Sequence, residues 1–268
     1  MASLMEDQTG SKAQVLAKIR TALGRPAATV APEPLPPFAS TQAPSTLTEL
    51  LSKFGRELEK VGGRMTCVQT VQELRVLLQN LFSQDEFGAV AVSNGDVLRK
   101  LGIRDWLVSY NRHVVPSLEE FILARKQPAE TSSGAGFSGL ENERLADEYK
   151  RVLIGASFGI TCADYALADT GTVALISGGE QHRLISLLPP AHICLLDPRC
   201  IFASLNELLD HLHVGHEAHG TLPQALTCIT GPSRTADIEQ TITMGVHGPR
   251  TLQVIVYAPA KSEAVAFG

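Results

Sequence analysis

The chain has 268 residues, of which 44% are hydrophobic, so it can bury one large core or two small ones. It carries 23 basic and 28 acidic residues with no Lys/Arg block, which argues against a nucleic-acid-binding protein. Its first twelve residues are polar, unlike a signal peptide, and no apolar run reaches the roughly 18 residues that a membrane helix needs. We therefore predict a soluble, cytoplasmic protein.

The N-terminal segment differs in composition from the rest of the chain. Residues 11–23 place Val15, Ile19 and Leu23 at helical spacing, which predicts a short amphipathic helix that packs on its own domain or on a partner. Six prolines between positions 26 and 44 predict an extended linker. We therefore expect residues 1–46 to form an appendage and residues 47–268 to form a single domain.

From residue 46 onwards, helical and strand-like hydrophobic periodicities alternate. The predicted helices span 46–61, 70–82, 95–101, 117–125, 141–149, 161–168, 204–212 and 233–244. The predicted strands span 64–69, 88–93, 113–115, 151–157, 172–177, 192–196, 226–230 and 252–258, and a polar loop spans 127–140. This alternation predicts an α/β fold with a mainly parallel sheet and helices on both faces.

Three patterns that can mark a cofactor or a metal are weak in this sequence. The five cysteines form no CxxC pair, so we expect them to pack as small hydrophobes. Residues 134–139 match GxGxxG but do not follow a buried strand, which favours a loop over a nucleotide site. The histidines of 211–219 are interrupted by Gly215, which favours a solvated loop over a metal site. We predict no cofactor and no metal in this chain.

Residues 161–172 (TCADYALADTGT) contain a carboxylate with two interpretations. Thr161 and Asp164 fit a helix N-terminal capping pair, which places Asp169 at the carboxyl end of that helix, where the helix dipole disfavours it. Asp169 could be a turn former that bonds the backbone of Thr170 and Gly171. It could equally be a nucleophile, a base or a ligand clamp.

Residues 231–249 hold the densest group of polar side chains between two apolar runs. Ser233 or Thr235 could cap helix 233–244, with Asp237 in its first turn and Arg234 in an ion pair. Alternatively, the backbone amides and Arg234 bind a carboxylate or a phosphate at the end of the sheet, and His247 acts as an acid or base. We favour the ligand site. Upstream, Arg183 could clamp a substrate carboxylate, or it could simply face water.

Four segments together resemble the LUD-domain family, specifically its lactate utilization protein C type. They are ADTGT (168–172), RLISLLPPAHI (183–193), GPSRTADIE (231–239) and GVHGP (245–249). The resemblance spans 47–268 and implies a fold similar to that of ribose-5-phosphate isomerase, glucosamine-phosphate isomerase and CoA-transferases. It also implies a role in oxidising L-lactate to pyruvate with two partner proteins, at least one of which carries iron–sulfur clusters. Many relatives carry glutamate in place of Asp169, and the shorter aspartate favours a binding or general-base role over a covalent one.

The hypothesis that follows is a component of a lactate-oxidation system that binds a small carboxylate or phosphorylated ligand. The candidate catalytic residues are Asp169 and His247. The candidate ligand-binding residues are Thr170, Gly171, Arg183, Ser233, Arg234, Thr235 and Asp237. Two alternatives stay open, namely a non-catalytic assembly subunit for iron–sulfur partners and a free-standing CoA-transferase or sugar-phosphate isomerase.

Overall fold

A computed structural model describes residues 14–15, 17–19, 21–22, 46–83, 85, 88–125, 139–177, 182–219, 225–236, 242–245 and 248–259. The chain divides into two units, 1–39 and 40–268. All described residues of the first unit are helical, in agreement with the helix predicted there, and the Thr21 hydroxyl donates to the Ala17 carbonyl (3.0 Å). Within the described part of the chain, no helix is both long enough and apolar enough to span a membrane.

The second unit alternates helices and strands. Its helices are α1 (Leu47–Lys60), α2 (Val71–Phe82), α3 (Asp96–Lys100), α4 (Ile103–Ser109), α5 (Leu118–Leu123), α6 (Gly139–Ile154), α7 (His182–Leu187) and α8 (Leu205–His219). Its strands are β1 (Arg64–Val68), β2 (Ala89–Val92), β3 (Ala156–Cys162), β4 (Tyr165–Leu167), β5 (Thr172–Ser177), β6 (Ala191–Leu196), β7 (Ile201–Phe202), β8 (Ala225–Ile229), β9 (Arg234–Ala236), β10 (Ile242–Met244) and β11 (Thr251–Tyr257).

Five parallel strands form the central sheet, in the order β1-β11-β6-β3-β2. Side chains of β11 alternate between two apolar layers: Ile255 and Tyr257 face one, and Val254 and Val256 face the other. Helices α2, α3 and α4 cover the first layer. Helices α1, α5, α6 and α7 cover the second, so the predicted α/β fold with a mainly parallel sheet and helices on both faces is confirmed.

A smaller mixed sheet, in the order β7-β4-β5-β8, packs on the second face and was not predicted. Strand β5 pairs antiparallel with both β4 and β8. Its Val173 and Leu175 pack with Phe54 and Leu58 of α1. Helix α1 begins at a capping box in which the Thr46 hydroxyl accepts from the Glu49 amide and the Glu49 carboxylate accepts from the Thr46 amide.

The prediction for residues 151–168 was wrong. Helix α6 continues to Ile154 because Leu145, Tyr149, Val152 and Leu153 recur at helical spacing and pack in one apolar cluster. The predicted helix 161–168 is instead the end of β3 followed by β4. Thr161 is buried in β3 and its hydroxyl pairs with His192 Nε2 (2.8 Å), so it caps no helix. Asp164 accepts from the Ile176 amide (2.7 Å).

The prediction for the histidine tract was wrong, and the prediction that the cysteines pack as small hydrophobes was wrong for two of the five. The histidine tract lies on α8 rather than in a loop, because Leu208 and Leu212 pack against the mixed sheet and His211 packs against Tyr165 and Phe202. Of the cysteines, Cys67 and Cys228 are exposed, because each sits on an edge strand of its sheet.

A search of the described residues finds no group of three or more metal-binding side chains. The GxGxxG segment lies outside the described residues except for Gly139, which begins α6.

His192 predicts a specific pH dependence of stability. Complete burial in β6 lowers the pKa of His192 to about 3, so the folded chain keeps this imidazole neutral while the unfolded chain protonates it below about pH 6.5. Protonation therefore favours the unfolded state. We expect the free energy of unfolding to fall between about pH 6.5 and pH 4.5, by up to about 1.4 kcal/mol per pH unit, relative to His192→Gln. Urea titrations of both proteins across that range measure the difference, and identical pH slopes would contradict the prediction.

Candidate functional site

The segment that follows β8 is held in place by its backbone. Gly231 adopts φ +79°, and a Cβ at this position would lie 2.7 Å from the Val61 carbonyl oxygen, so only glycine fits. Two residues later, the Ser233 amide donates to the Pro249 carbonyl (2.8 Å), and the Ser233 carbonyl accepts from the Gly245 amide (2.9 Å). Gly245 and Pro249, the two ends of the GVHGP segment, therefore lie beside the GPSR segment.

The helix predicted over 233–244 is wrong, because residues 234–236 and 242–244 form the antiparallel strands β9 and β10. The sequence from Thr235 to Thr243 is rich in β-branched residues, which favour strands over helices. Neither Ser233 nor Thr235 therefore caps a helix here. The expected anion site at a helix N-terminus is thereby removed, and any anion must be held by side chains and loop backbone.

A cavity of about 500 Å³ lies against this segment. Its walls include Gly231–Arg234, Gly248–Pro249, Thr227–Thr230, Ser186–Leu187 and Val61. The Arg250 amide donates to the Pro190 carbonyl (2.7 Å), and these residues directly precede β11 and β6. The cavity therefore sits at the amino ends of the central strands, whereas open parallel sheets usually bind ligands at the carboxyl ends.

Among the described residues of this cavity wall, Arg234 is the cation. Its Nη2 donates to the Val61 carbonyl (2.6 Å), and the guanidinium packs against the backbone of Gly62, where a Cβ would collide with it. A guanidinium has five N–H donors, so one bond to a carbonyl anchors the group and leaves donors for a ligand. Ser233 adds a hydroxyl beside it, and Gly248 packs closely on Ser233, with 3.1 Å from a Cβ built at Gly248 to the Ser233 Cβ. A guanidinium and a hydroxyl in one wall can bind a carboxylate or a phosphate.

Asp169 lies in the turn between β4 and β5 rather than at a helix end. Its amide donates to the Ala203 carbonyl (3.2 Å). Its Oδ1 is buried and makes no hydrogen bond to any described residue. A buried carboxylate oxygen without a partner is unusual and can accept a proton or a ligand donor.

A chain of hydroxyls connects this turn to the cavity. Thr170 Oγ1 lies 2.8 Å from Thr172 Oγ1, which lies 2.7 Å from Thr230 Oγ1. Thr230 lines the cavity and directly precedes Gly231. Gly171 adopts φ +64° and packs on the backbone of Leu58, with no room for a Cβ. Side-chain contacts therefore join the ADTGT turn to Thr230, the residue that directly precedes the GPSR segment.

The remaining predicted site residues are not among the described residues of the cavity wall. Arg183 is exposed in the first turn of α7, and its carbonyl accepts from the hydroxyl of Ser186 (3.1 Å), a buried residue in the cavity wall. Arg183 itself is not among the described residues of that wall. Thr235 pairs with Thr243 through the backbone of the antiparallel strands β9 and β10. Asp237 and His247 lie outside the described residues.

The residues of this site that escaped the sequence analysis include Val61, Thr230 and Ser186. Val61 contributes only its carbonyl, which no side-chain pattern can reveal. Thr230 was assigned to the predicted strand 226–230, whereas it is exposed and directly follows β8. Ser186 sits within the RLISLLPPAHI segment, so that segment itself carried the signal.

Comparison with known proteins identifies the family. A model of the LUD domain matches residues 51–257, about three quarters of the chain. The chain belongs to the LUD domain family. All the cavity residues named above fall within this match, and the family that the four segments predicted is confirmed.

Several LUD relatives carry the name lactate utilization protein C. The protein of that name from Halalkalibacterium halodurans is 38% identical over 117 residues, which are 43% of this chain and 49% of that protein. The one from Anoxybacillus flavithermus is 28% identical over 209 residues, 78% of this chain and 80% of that protein. The chain thus spans about half the length of the first of these relatives. A crystal structure of a DUF162 family protein from Deinococcus radiodurans aligns with 80% of this chain and all of its own, at a TM-score of 0.47 and 21% identity.

Thr172→Val tests the hydroxyl chain. Thr172 is buried, and its hydroxyl is the middle member of the three, so the isosteric change leaves Thr170 and Thr230 without this partner. We expect a loss of about 1–2 kcal/mol in the free energy of unfolding, measured by urea denaturation. Thr251→Val, at an exposed strand position, is the control and should change stability by less than about 0.5 kcal/mol. Equal effects of the two changes would contradict the prediction.

Proposed function

We propose that this chain is a cytoplasmic component of a system that oxidises L-lactate to pyruvate. The observation that carries the proposal is the similarity to lactate utilization protein C of Anoxybacillus flavithermus, which extends over 78% of this chain. Oxidation of a 2-hydroxy acid releases two electrons, which need an acceptor. We assign the acceptor to partner proteins with iron–sulfur clusters and no cofactor to this chain.

The proposed ligand is a small molecule with a carboxylate or a phosphate, bound in the cavity at the amino ends of the central strands. Arg234 and Ser233 hold its anionic group, a role supported by their shared position in the cavity wall. Thr170, Gly171, Thr235 and Asp237 are further proposed ligand-binding residues, and the proposal for Asp237 rests on its sequence position. Arg183 assists from α7.

Asp169 and His247 are the proposed proton-transfer groups. The support for Asp169 is its buried Oδ1, which makes no bond within the described structure and can therefore accept a proton. The proposal for His247 rests on its sequence position, between two glycines that follow β10. A general-base role fits the short side chain of aspartate better than covalent attack, since aspartate reaches less far than glutamate.

Growth on L-lactate tests this function. A strain that lacks the gene should fail to grow on L-lactate and grow normally on glucose, and the wild-type gene should restore growth. Asp169→Asn and His247→Ala should restore it poorly, because neither substituted side chain can exchange the proton. Asp147→Asn changes an exposed aspartate paired with Lys150 and should restore growth fully.

The outcomes separate two parts of the proposal. Normal growth of the deletion strain on L-lactate would contradict the lactate function. Full restoration by both Asp169→Asn and His247→Ala would instead remove the proton-transfer role and leave a binding role.

A second candidate function is that of an assembly subunit for the iron–sulfur partners, without turnover of its own. It is favoured by the leading helical residues, in which Val15 and Ile19 keep 52% and 48% of their surface exposed. Apolar side chains repeated on one helix face are typical of a segment that docks on a partner.

Charged substitutions on the helix face test the assembly function. Val15→Asp with Ile19→Asp should reduce co-purification of the iron–sulfur partners by about ten-fold, because a carboxylate cannot be buried in an apolar interface. Gln14→Asp, at another exposed position of the same helix, is the control and should leave it unchanged. Unchanged co-purification of the double variant would contradict docking through this face.

A further inference from the structure

A second cavity, of about 270 Å³, lies at the opposite end of the central strands from the first. It forms where β2 ends at Val92, and the Ser93 amide still donates to the Ile160 carbonyl (3.0 Å) of β3. The chain then turns through Asn94 into α3. This is the carboxyl end of a parallel strand, the edge at which open α/β sheets usually bind ligands. Its walls share no described residue with the cavity at the amino ends.

Ser93 leaves a hydroxyl without a partner in this wall. The residue is 4% exposed, and its Oγ is buried without a hydrogen bond to any residue that the structure describes. Buried hydroxyl groups nearly always make a hydrogen bond, because a hydroxyl that is removed from water without a new partner loses its hydrogen bonds to water. The Ser93 hydroxyl is an exception at the end of a strand and in the wall of a cavity. This position indicates that a ligand supplies the missing hydrogen bond.

Arg104, on α4, supplies a second group of the same kind. Its Nη2 donates to Glu120 Oε2 (2.6 Å), and that same oxygen accepts from the Ser117 amide (2.8 Å) in the capping box of α5. Its Nη1 is buried and makes no hydrogen bond within the described part of the chain. The ion pair therefore holds the guanidinium in place while one nitrogen stays unsatisfied. A hydroxyl and a guanidinium in one wall are suited to a carboxylate.

The charged side chains around the cavity favour a ligand with no more than one negative charge. Arg99 pairs with Asp96 and Arg104 pairs with Glu120, and Asp105 also lines the wall. Two cations against three carboxylates do not favour a dianion such as phosphate. Val92 and Leu98 form an apolar part of the wall that suits a short hydrocarbon body.

We propose that this cavity is a second binding site, separate from the one at the amino ends, that takes a small monocarboxylate with a short apolar body. Its carboxylate bonds the Ser93 hydroxyl and Arg104 Nη1, with Asn94 at the same wall. Since bulk water reaches neither atom, the ligand engages them through small side-chain rotations that keep the bond from Arg104 Nη2 to Glu120. The site rests on these contacts and does not depend on the lactate function.

Amide chemical-shift titrations of the full chain test the site with three probes. Propionate has the proposed charge and size, propionamide is its uncharged counterpart, and inorganic phosphate is the dianion. We expect propionate to shift the amides of residues 93–105 in a saturable manner. We expect propionamide and phosphate to bind there at least about ten-fold more weakly.

Matched variants connect the binding to the two unsatisfied atoms. Ser93→Ala should weaken propionate binding by at least about five-fold while the melting temperature stays equal or rises, because the change removes an unsatisfied hydroxyl and no bond. Arg104→Lys keeps the charge beside Glu120 but removes the second nitrogen, and it should weaken binding similarly. Ser233→Ala, in the other cavity, is the control and should leave this binding unchanged.

Three results would overturn the proposal. The first is an absence of saturable amide shifts at residues 93–105, whether or not propionate shifts the amides of residues 231–234. The second is unchanged propionate affinity in Ser93→Ala. The third is phosphate binding as tight as propionate binding, which would exclude the monocarboxylate class.

Discussion

The candidate site at the amino ends depends on the close approach of two glycine turns to the carboxyl-terminal end of α1. Gly171 packs on the backbone of Leu58, and Gly231 packs on the Val61 carbonyl. Both adopt positive φ, and neither position has room for a Cβ. The Val61 carbonyl also accepts a hydrogen bond from Arg234. The carboxyl-terminal end of α1 therefore positions both glycine turns and the guanidinium of Arg234. Because α1 buries Phe54 and Leu58 in the core, its end is a rigid support for the site.

The central sheet carries cavities of different character at its two ends. At the amino ends, Arg234 and Ser233 line an open wall, and backbone bonds from Ser233 and Arg250 hold the segments around it. At the carboxyl end of β2, Ser93 Oγ and Arg104 Nη1 are buried and make no hydrogen bond to any described residue. Parallel strands make this arrangement possible, because they place all amino ends at one edge of the sheet and all carboxyl ends at the other.

Much of the fold could be predicted from the sequence because hydrophobic periodicity reports burial directly. Strands β1, β2, β5, β6, β8 and β11 lie at the predicted positions, as do α1, α2 and α5. The errors arose where one signal supports two structures. Capping chemistry at Thr161 and Ser233 suggested helices, whereas tertiary bonds to His192 and Pro249 hold these residues in a strand and in a loop. For the candidate site, the segments were found from sequence, but their contacts through Val61 and Thr230 were not.

The sequence by itself determined the family, the α/β class and the segments that carry polar chemistry, because these follow from local patterns. Only the tertiary structure decided which sheet each strand joins, since an apolar run specifies burial and not its neighbours. Strand β8 pairs in the mixed sheet, and the GPSR segment that follows it therefore lies at the amino ends of the central strands. The tertiary structure also left the Ser93 hydroxyl without a partner among the described residues, a result that depends on every side chain around it. Contacts between distant segments are set by packing, and packing cannot be derived from spacing along the chain.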